Sequence, residues 1–458
     1  MSLVSWSETW KEFRKSKVGI AGLAILAILA GVSVIAITTI PLDTFKQWQD
    51  PSHWTSYPRA AMPAWTNFFA DKKLPEHMIF RDATVEEKVS DGIVTSTHTY
   101  TFTYSFDDFP NDFMLNYAVK YHVTPPLLQL SAVRPDDDSF ELARVSLPSA
   151  QGEEYVYSGT IFSTDSVVKN SVANYVSKFI FPIDESQPQI IVFSDTDVKS
   201  ALKGQYRFVA TFFLFDKTAQ VVETNLIIGG KVYGLLGTDE LRRDLSIGII
   251  WGTPLALFIG VSVASISVII GMIYGVVAGY KGRNTDETMM RANDIIYALP
   301  ALPVLILLAV SIGKSIFLIV GYLIIFGWVG IAKVARSMAL QIKNLQYIEA
   351  AELMGQSTGR IVMKHILPQL LPYTFASIAI SVPGAIITEA GLSFLGLGDP
   401  TMPTWGQLLH DANVHGASPR GLWWWIVPPG VMIALTGLAF VLIGTALDAI
   451  VNPKMKKV

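Results

Sequence analysis

Residues 348–368 read IEAAELMGQSTGRIVMKHILP and concentrate more charge than the apolar runs on either side of them. They carry Glu349 and Glu352, the cations Arg360 and Lys364, the titratable His365, and glycines at 355 and 359, and they close on Pro368. Glu349 to Met354 is strong helix-forming sequence. Gly355 permits a left-handed turn, and Ser357 or Thr358 can cap a second helix that Pro368 should end. Two short helices joined at a glycine form a surface for docking rather than a set of reacting groups. Alanines 350 and 351 would allow a partner close approach, and the charges could pair across an interface. An ordinary hairpin between two membrane helices would read the same way.

Other candidates for chemistry are sparse. Glu389 stands inside an apolar run, AIITEAGLSFLGLG. A carboxylate there either faces a cavity on a transport path or finds solvent or hydrogen bonds near the outer interface. Ser311-Ile312-Gly313-Lys314-Ser315 contains the GKS of a phosphate-binding loop, but Leu308 occupies the position of the required upstream glycine. It reads as a tight external turn between two spans. His410 and His415, beside Asp411, make a weak metal pattern, and the seven histidines show no HExxH spacing. With no cysteine, disulfides and thiolate metal sites are excluded. Isolated Ser, His and Asp residues do not make a catalytic set.

The elements that hold these residues are membrane helices. Of the 458 residues, 51% are hydrophobic, and they gather into six runs: 18–40, 249–280, 295–312, 315–332, 371–397 and 424–450. A helix of about 20 residues crosses the hydrocarbon core, and the first run holds 23 residues without a charge. That length, with no convincing cleavage site after it, favours an uncleaved anchor over a signal peptide. Residues 41–240 contain 26 of the 38 acids and 16 of the 35 bases, a balance of −10. Bases cluster before the first run (Lys11, Arg14, Lys15, Lys17), after the second (Lys281, Arg283, Arg291) and between the fourth and fifth (Lys333, Arg336, Lys343, Arg360, Lys364). A further group, Lys454, Lys456 and Lys457, follows the sixth. Basic loops on alternate connections place both termini in the cytoplasm and residues 41–240 outside. Glycines and prolines within the runs (Gly260, Gly271, Gly275, Pro300, Pro303, Pro383, Gly384) permit close helix contact or kinks. Trp423, Trp424 and Trp425 read as a headgroup anchor.

Residues 41–235 form a domain large enough to bury a core. Thr99 to Tyr104 alternates hydroxyl and aromatic residues, the period of a half-buried strand. Similar runs occupy 114–122, 127–133, 140–145, 155–162, 189–193, 206–215 and 221–228. Val168, Val172, Tyr175, Val176 and Phe179 share a face at helical spacing. Short strands between turn-rich breaks predict a β-sandwich or related fold. Asp136 to Asp138 reads as a solvated turn rather than a calcium site. The acidic domain offers no nucleic-acid surface.

The stretch 348–368 resembles the EAA loop of membrane subunits of binding-protein-dependent ABC importers. Glu349, Ala350, Ala351, Gly355, Leu367 and Pro368 match that motif in type and spacing. GTDELRRD at 237–244, DETMMRANDIIYALPALP at 286–303 and EAGLSFLGLGDPTMPTWGQLL at 389–409 resemble the C-type permeases of the dipeptide/oligopeptide group. The likeness covers roughly residues 230–458 and the first span, and departs at the domain 41–235, a large insertion. Arg242 stands where the family pattern has glycine. The resemblance implies a six-span type I importer permease fold and no enzyme activity or cofactor in this chain, with ATP and magnesium held by partner ATPases. It implies a homologous B-type permease, two ATPase subunits, an extracytoplasmic binding protein and a cell-membrane location. It makes Glu349, Ala350, Ala351, Gly355, Arg360, His365, Leu367 and Pro368 the contact with the ATPase. Glu389 is the candidate on the translocation path. Di- or oligopeptides are the expected cargo, with oligosaccharides or nickel as alternatives. A membrane-anchored β-domain receptor or hydrolase is the reading from another class. The insertion would serve as a docking platform for the binding protein or as a structural cover.

Overall fold

A computed structural model describes residues 6–41, 47–90, 92–122, 124–149, 155–184, 186–216 and 218–451. Lys454, Lys456 and Lys457 lie outside the described residues. The chain divides into two compact units, Asp50–Ser246 and Met1–Gln49 with Ile247–Val458.

The unit Asp50–Ser246 is built on two antiparallel sheets. One has the order β1 (Met78–Phe80), β9 (Gln220–Gly229), β4 (Asp112–Tyr121), β7 (Tyr155–Phe162). The other runs β2 (Thr84–Ser90), β3 (Ile93–Tyr104), β8 (Gly204–Leu214), β5 (Leu127–Val133), β6 (Ser139–Ser146). Alternate residues of β3 and β8, among them Tyr100, Phe102, Tyr206 and Phe208, enter a core shared with Phe113 and Leu115 of β4. This is the expected sandwich layering, in which inward positions recur every second residue.

Three sequence readings are corrected here. Residues 189–193 form part of a helix, Pro188–Phe193, not a strand. A short apolar run carries no period of its own, and proline at the first helical position presets the turn. The helical face expected to reach Phe179 stops at Ala173, and Val176–Lys178 is a separate tight turn. Strand β2, TVEEKVS, was missed because it is an exposed edge with no apolar alternation. The aspartate turn holds as a turn: Asp137 has φ 63°, and buried Arg134 forks onto Asp136 at 2.7 and 3.2 Å.

Among the described residues, five helices are long and apolar enough to cross a membrane: Lys17–Thr39, Leu245–Lys281, Ile316–Lys343, Thr358–Phe394 and Trp423–Ile450. A bent pair, Arg283–Ala298 and Ala301–Ser311, passes the same test jointly with 79° between its halves, and brings the number to six if it is one span. Residues 295–312 are therefore not one straight span. Pro300 breaks the helix, and the first half is amphipathic and polar. Its acids pair with the neighbouring helix: Asp286 accepts a two-pronged contact from Arg336 at 2.5 and 2.6 Å, and Asp294 pairs with Lys333 at 2.9 Å. The fourth span continues to Lys343, past the expected end at 332, with Trp328 between its two segments.

Glycines allow one close helix contact. A Cβ on Gly271 would lie 2.6 Å from the Trp328 carbonyl, and one on Gly279 would lie 2.7 Å from that of Arg336. Gly275 meets the Ala332 carbonyl between them. Four-residue spacing on both helices seats the three glycines of one against the backbone carbonyls of the other. The tryptophan reading needs correction: Trp425 is fully buried and Trp424 nearly so, leaving Trp423 half-exposed. Successive helical residues point 100° apart, so three in a row cannot share one lipid-facing side.

Candidate functional site

The charged stretch folds as two arms around a glycine. The first is the helix Gln346–Leu353. Gly355 adopts φ +76°; its amide donates to the Glu352 carbonyl at 2.9 Å, and that of Gln356 donates to Ala351 at 3.2 Å. These are the paired bonds of a Schellman cap, which needs the left-handed residue glycine supplies. Ser357, in extended conformation, precedes the second arm.

Contrary to the sequence expectation, Pro368 does not end that arm. Thr358–Ile361 passes through a wide π turn, Val362–Ile366, into the helix Leu367–Phe394. The Leu367 amide bonds back to Val362, five residues earlier. Proline has no amide to lose in the first turn after this bulge. The second arm and the fifth span are consequently one helical run, so a push on one end is carried along the other.

Burial separates the two faces. Ile348, Ala351, Ile361, Val362 and Ile366 pack against Val276, Tyr280, Ala335, Ala339 and Leu370. Ala351 therefore packs inward, while Ala350, Glu349, Gly355, Arg360 and Pro368 are exposed. Leu367 and His365 are half-buried, and the His365 ring is 2.9 Å from the Gln356 amide oxygen across the turn. Tyr280 donates its hydroxyl to Glu352 at 2.6 Å, tying the end of the second span to the first arm. Leu353 and Met354 are 84% and 72% exposed at the tip, with Met363 beside the charges. The sequence reading did not single out these three residues or Tyr280. Apolar side chains at the tip of a charged loop are a signal that could have found the first two.

Glu389 is buried in the fifth span. It accepts from Ser393 at 2.7 Å, and the Thr404 hydroxyl also bonds it. Thr404 in turn caps the helix Trp405–Val414, accepting from Gln407 at 3.2 Å. Gly406 lies so close to this span that a Cβ would sit 2.6 Å from the Cα of Ala390. The carboxylate thus joins the span to the loop after it. His410 and His415 turn Nδ1 to separate carbonyls, of Phe394 and Asp411. Lys314 of the GKS stretch donates to the Gly396 carbonyl at 2.7 Å.

Comparison with known proteins decides the family. A family model described as the binding-protein-dependent transport system inner membrane component matches residues 267–457. A second, described as the N-terminal TM domain of oligopeptide transport permease C, matches residues 5–54. The dipeptide transport system permease protein DppC of Bacillus subtilis is 40% identical over 48% of this chain and 69% of its own length. The chain belongs to the binding-protein-dependent transport permeases. The oligopeptide permease OppC of the same organism is 37% identical over 48% of this chain and 72% of its own. A solved structure of the methionine ABC transporter MetNI, inward facing, is 21% identical. It covers 45% of this chain and 96% of that one, at a TM-score of 0.37. The permease is a multi-pass membrane protein and a component of an importer whose ATPase is a separate subunit and which works with a binding protein.

The permease's motif at 237–244 folds as a buried knot. Thr238 donates to the Pro58 carbonyl at 2.6 Å and accepts from the Ala61 amide at 3.0 Å. Asp239 accepts the Arg243 amide at 2.8 Å and its Nε at 2.6 Å. Arg242, the departure from the family pattern, has φ +66°. It thus keeps the backbone that glycine would adopt, against a strain of about 1–3 kcal/mol. Its guanidinium donates to the Tyr57 carbonyl at 2.6 Å and to Asp112 of β4 at 2.5 Å. These bonds, made to residues of the insertion, offset the strain.

His77 lies beside Asp112, Arg242 and Tyr233. Burial pushes its imidazole down from 6.5 to about 4; the Ser56 backbone and the Asp112 charge nearby oppose this, and Arg242 adds to it. An unfolded chain binds this proton near pH 6.5, and the folded one only near 4. Between those values the unfolded state holds more protons, so stability falls as pH drops. The contribution is complete above about pH 6.5 and amounts to about 3 kcal/mol lost by pH 4. Thermal melting of the purified permease should show this slope between pH 7 and 4, and His77→Gln should flatten it. An unchanged slope in the variant would remove His77 as its source.

Proposed function

We propose that this permease forms half of the membrane pore of an ATP-driven importer for di- or oligopeptides, paired with a homologous B-type permease and two ATPase subunits. Both termini lie in the cytoplasm and residues 41–240 outside, as the basic loops require. The single observation that carries the reading is the fifth span's continuity with the second arm of the 348–368 stretch, through Pro368.

The Glu349–Pro368 surface meets the ATPase, with Glu349, Ala350, Gly355 and Arg360 on its exposed side and Leu353 and Met354 as its apolar tip. Ala351, Leu367 and His365 hold the arms in shape from within. ATP-driven closure of the partner moves the tip, and the rigid helical run turns that movement into tilting of the span. Peptide cargo is supported by relatives named for dipeptide and oligopeptide transport. For Glu389, the bonds to Ser393 and Thr404 favour positioning the external loop over a place on the cargo path. Glu389→Gln should then leave cargo preference unchanged.

The test is reconstitution of the full importer in vesicles with its binding protein. ATP-dependent accumulation of a labelled dipeptide or oligopeptide is expected, with competition by unlabelled peptides. Uptake competed by a sugar or nickel, and untouched by peptides, would sink the peptide assignment.

A further inference from the structure

The insertion carries one aromatic patch that its core does not use. Phe68 and Phe69 are 88% and 82% exposed, and Trp65 and Leu235 are exposed beside them. Trp65 packs edge-on against Phe69 at 6.4 Å and donates its indole N–H to the Leu235 carbonyl at 2.9 Å. Other exposed apolar residues of this unit, such as Val198 and Ile180, lie well apart from the patch in sequence.

The position of the patch along the chain identifies what it meets. Leu236 donates its amide to Ser246 Oγ at 3.2 Å, and Leu245 donates to the Gly237 carbonyl at 3.1 Å. Leu235 is therefore held within a residue or two of the first turn of the Leu245–Lys281 helix, and Trp65 is bonded to it. That helix has 37 residues, a rise of about 55 Å, while a bilayer with its headgroups is about 40–45 Å thick. A centred span then leaves about 5–8 Å at each end, which puts its first turn close to the outer headgroup surface. Tryptophan, phenylalanine and leucine favour this depth. The segment following the patch is Asp71-Lys72-Lys73, where an otherwise acidic domain presents two cations.

We infer that the Trp65–Phe69 segment with Leu235 is a membrane-surface anchor, seated in the outer headgroup layer and steadying the insertion over the bilayer. The inference rests on the proposed topology, with residues 41–240 outside, and it stands whatever the cargo. Both phenylalanines are almost wholly exposed, so replacing them leaves the sandwich core untouched.

The natural chain has no cysteine, so single labels can be placed at will. Phe68→Cys, Phe69→Cys and, as a control, the exposed Val198→Cys would each carry an environment-sensitive fluorophore. The full chain would be reconstituted in phosphatidylethanolamine–phosphatidylglycerol vesicles containing headgroup-spin-labelled lipid. Labels at 68 and 69 should lose most of their emission to lipid quenching, while the label at 198 keeps its own. Quenching at 68 and 69 no greater than at 198 would overturn the anchor. Shielding from water without lipid quenching, seen only after adding the binding protein or the other subunits, would overturn it in favour of a protein interface.

Discussion

Gly355→Val is expected to cut uptake about tenfold while ATP hydrolysis continues and the subunits still copurify. The residue sits at φ +76° with nothing within 4 Å of where a Cβ would stand. A steric clash is therefore not the cause. The cost is backbone strain alone, about 1–3 kcal/mol for a side chain in the left-handed region, enough to shift the turn's population by about 5- to 150-fold. Relief comes from rotating the turn, which redirects Leu353 and Met354 relative to the second arm. Gly355→Asn separates strain from bulk, because asparagine tolerates this conformation, and it should keep most of the coupling. The measurement is molecules of cargo accumulated per ATP hydrolysed in vesicles. A wild-type ratio in the valine variant would defeat the lever.

Asp239→Ala should produce a large loss of stability. Asp239 and Arg243 have side chains 0% and 1% exposed, paired at 2.6 Å. Removing the carboxylate breaks a buried ion pair and the two bonds that Asp239 accepts from Arg243, at a cost of about 3–5 kcal/mol. That is a large part of the 5–15 kcal/mol that typically separates folded from unfolded domains. Asp239→Ala with Arg243→Met removes both charges and should recover much of the loss. It will not recover all of it, because Asp239 also accepts the Arg243 amide. Melting of the purified full chain and protease resistance of the Asp50–Ser246 unit would report both effects. A single variant as stable as the parent would show that the pair contributes nothing.

The two variants test parts of the chain that differed in how openly the sequence spoke. The 348–368 stretch was legible because charge and glycine between apolar runs are local signals, and Gly355 announces a left-handed cap without any tertiary information. The role of Pro368 was misread for the opposite reason. Whether a proline ends a helix depends on the hydrogen bonds of the turn before it, and a π bulge cannot be seen in residue types. Strand β2 was invisible because its solvated edge carries no alternation, and 189–193 was ambiguous because five apolar residues fit either period. The bent helix pair shows the same limit. Pro300 marked a break, but the amphipathic half became intelligible only when Asp286 and Asp294 met Arg336 and Lys333 on the neighbouring helix.

Arg242 shows the boundary most plainly. Sequence alone flagged it as a side chain where glycine is usual, and left the backbone in question. The folded chain keeps the glycine conformation and uses the guanidinium to hold Tyr57 and Asp112 of the insertion. Such a bargain between strain and distant partners is nonlocal, linking positions 130 residues apart. Hydropathy, charge asymmetry and strand alternation were enough for the membrane spans and the β-rich insertion, since each is a pattern of solvent preference written along the chain. Which alanine faces inward, which tryptophan is buried, and where Glu389 spends its charge were decided by packing, because those outcomes depend on neighbours that the chain brings together only when it folds.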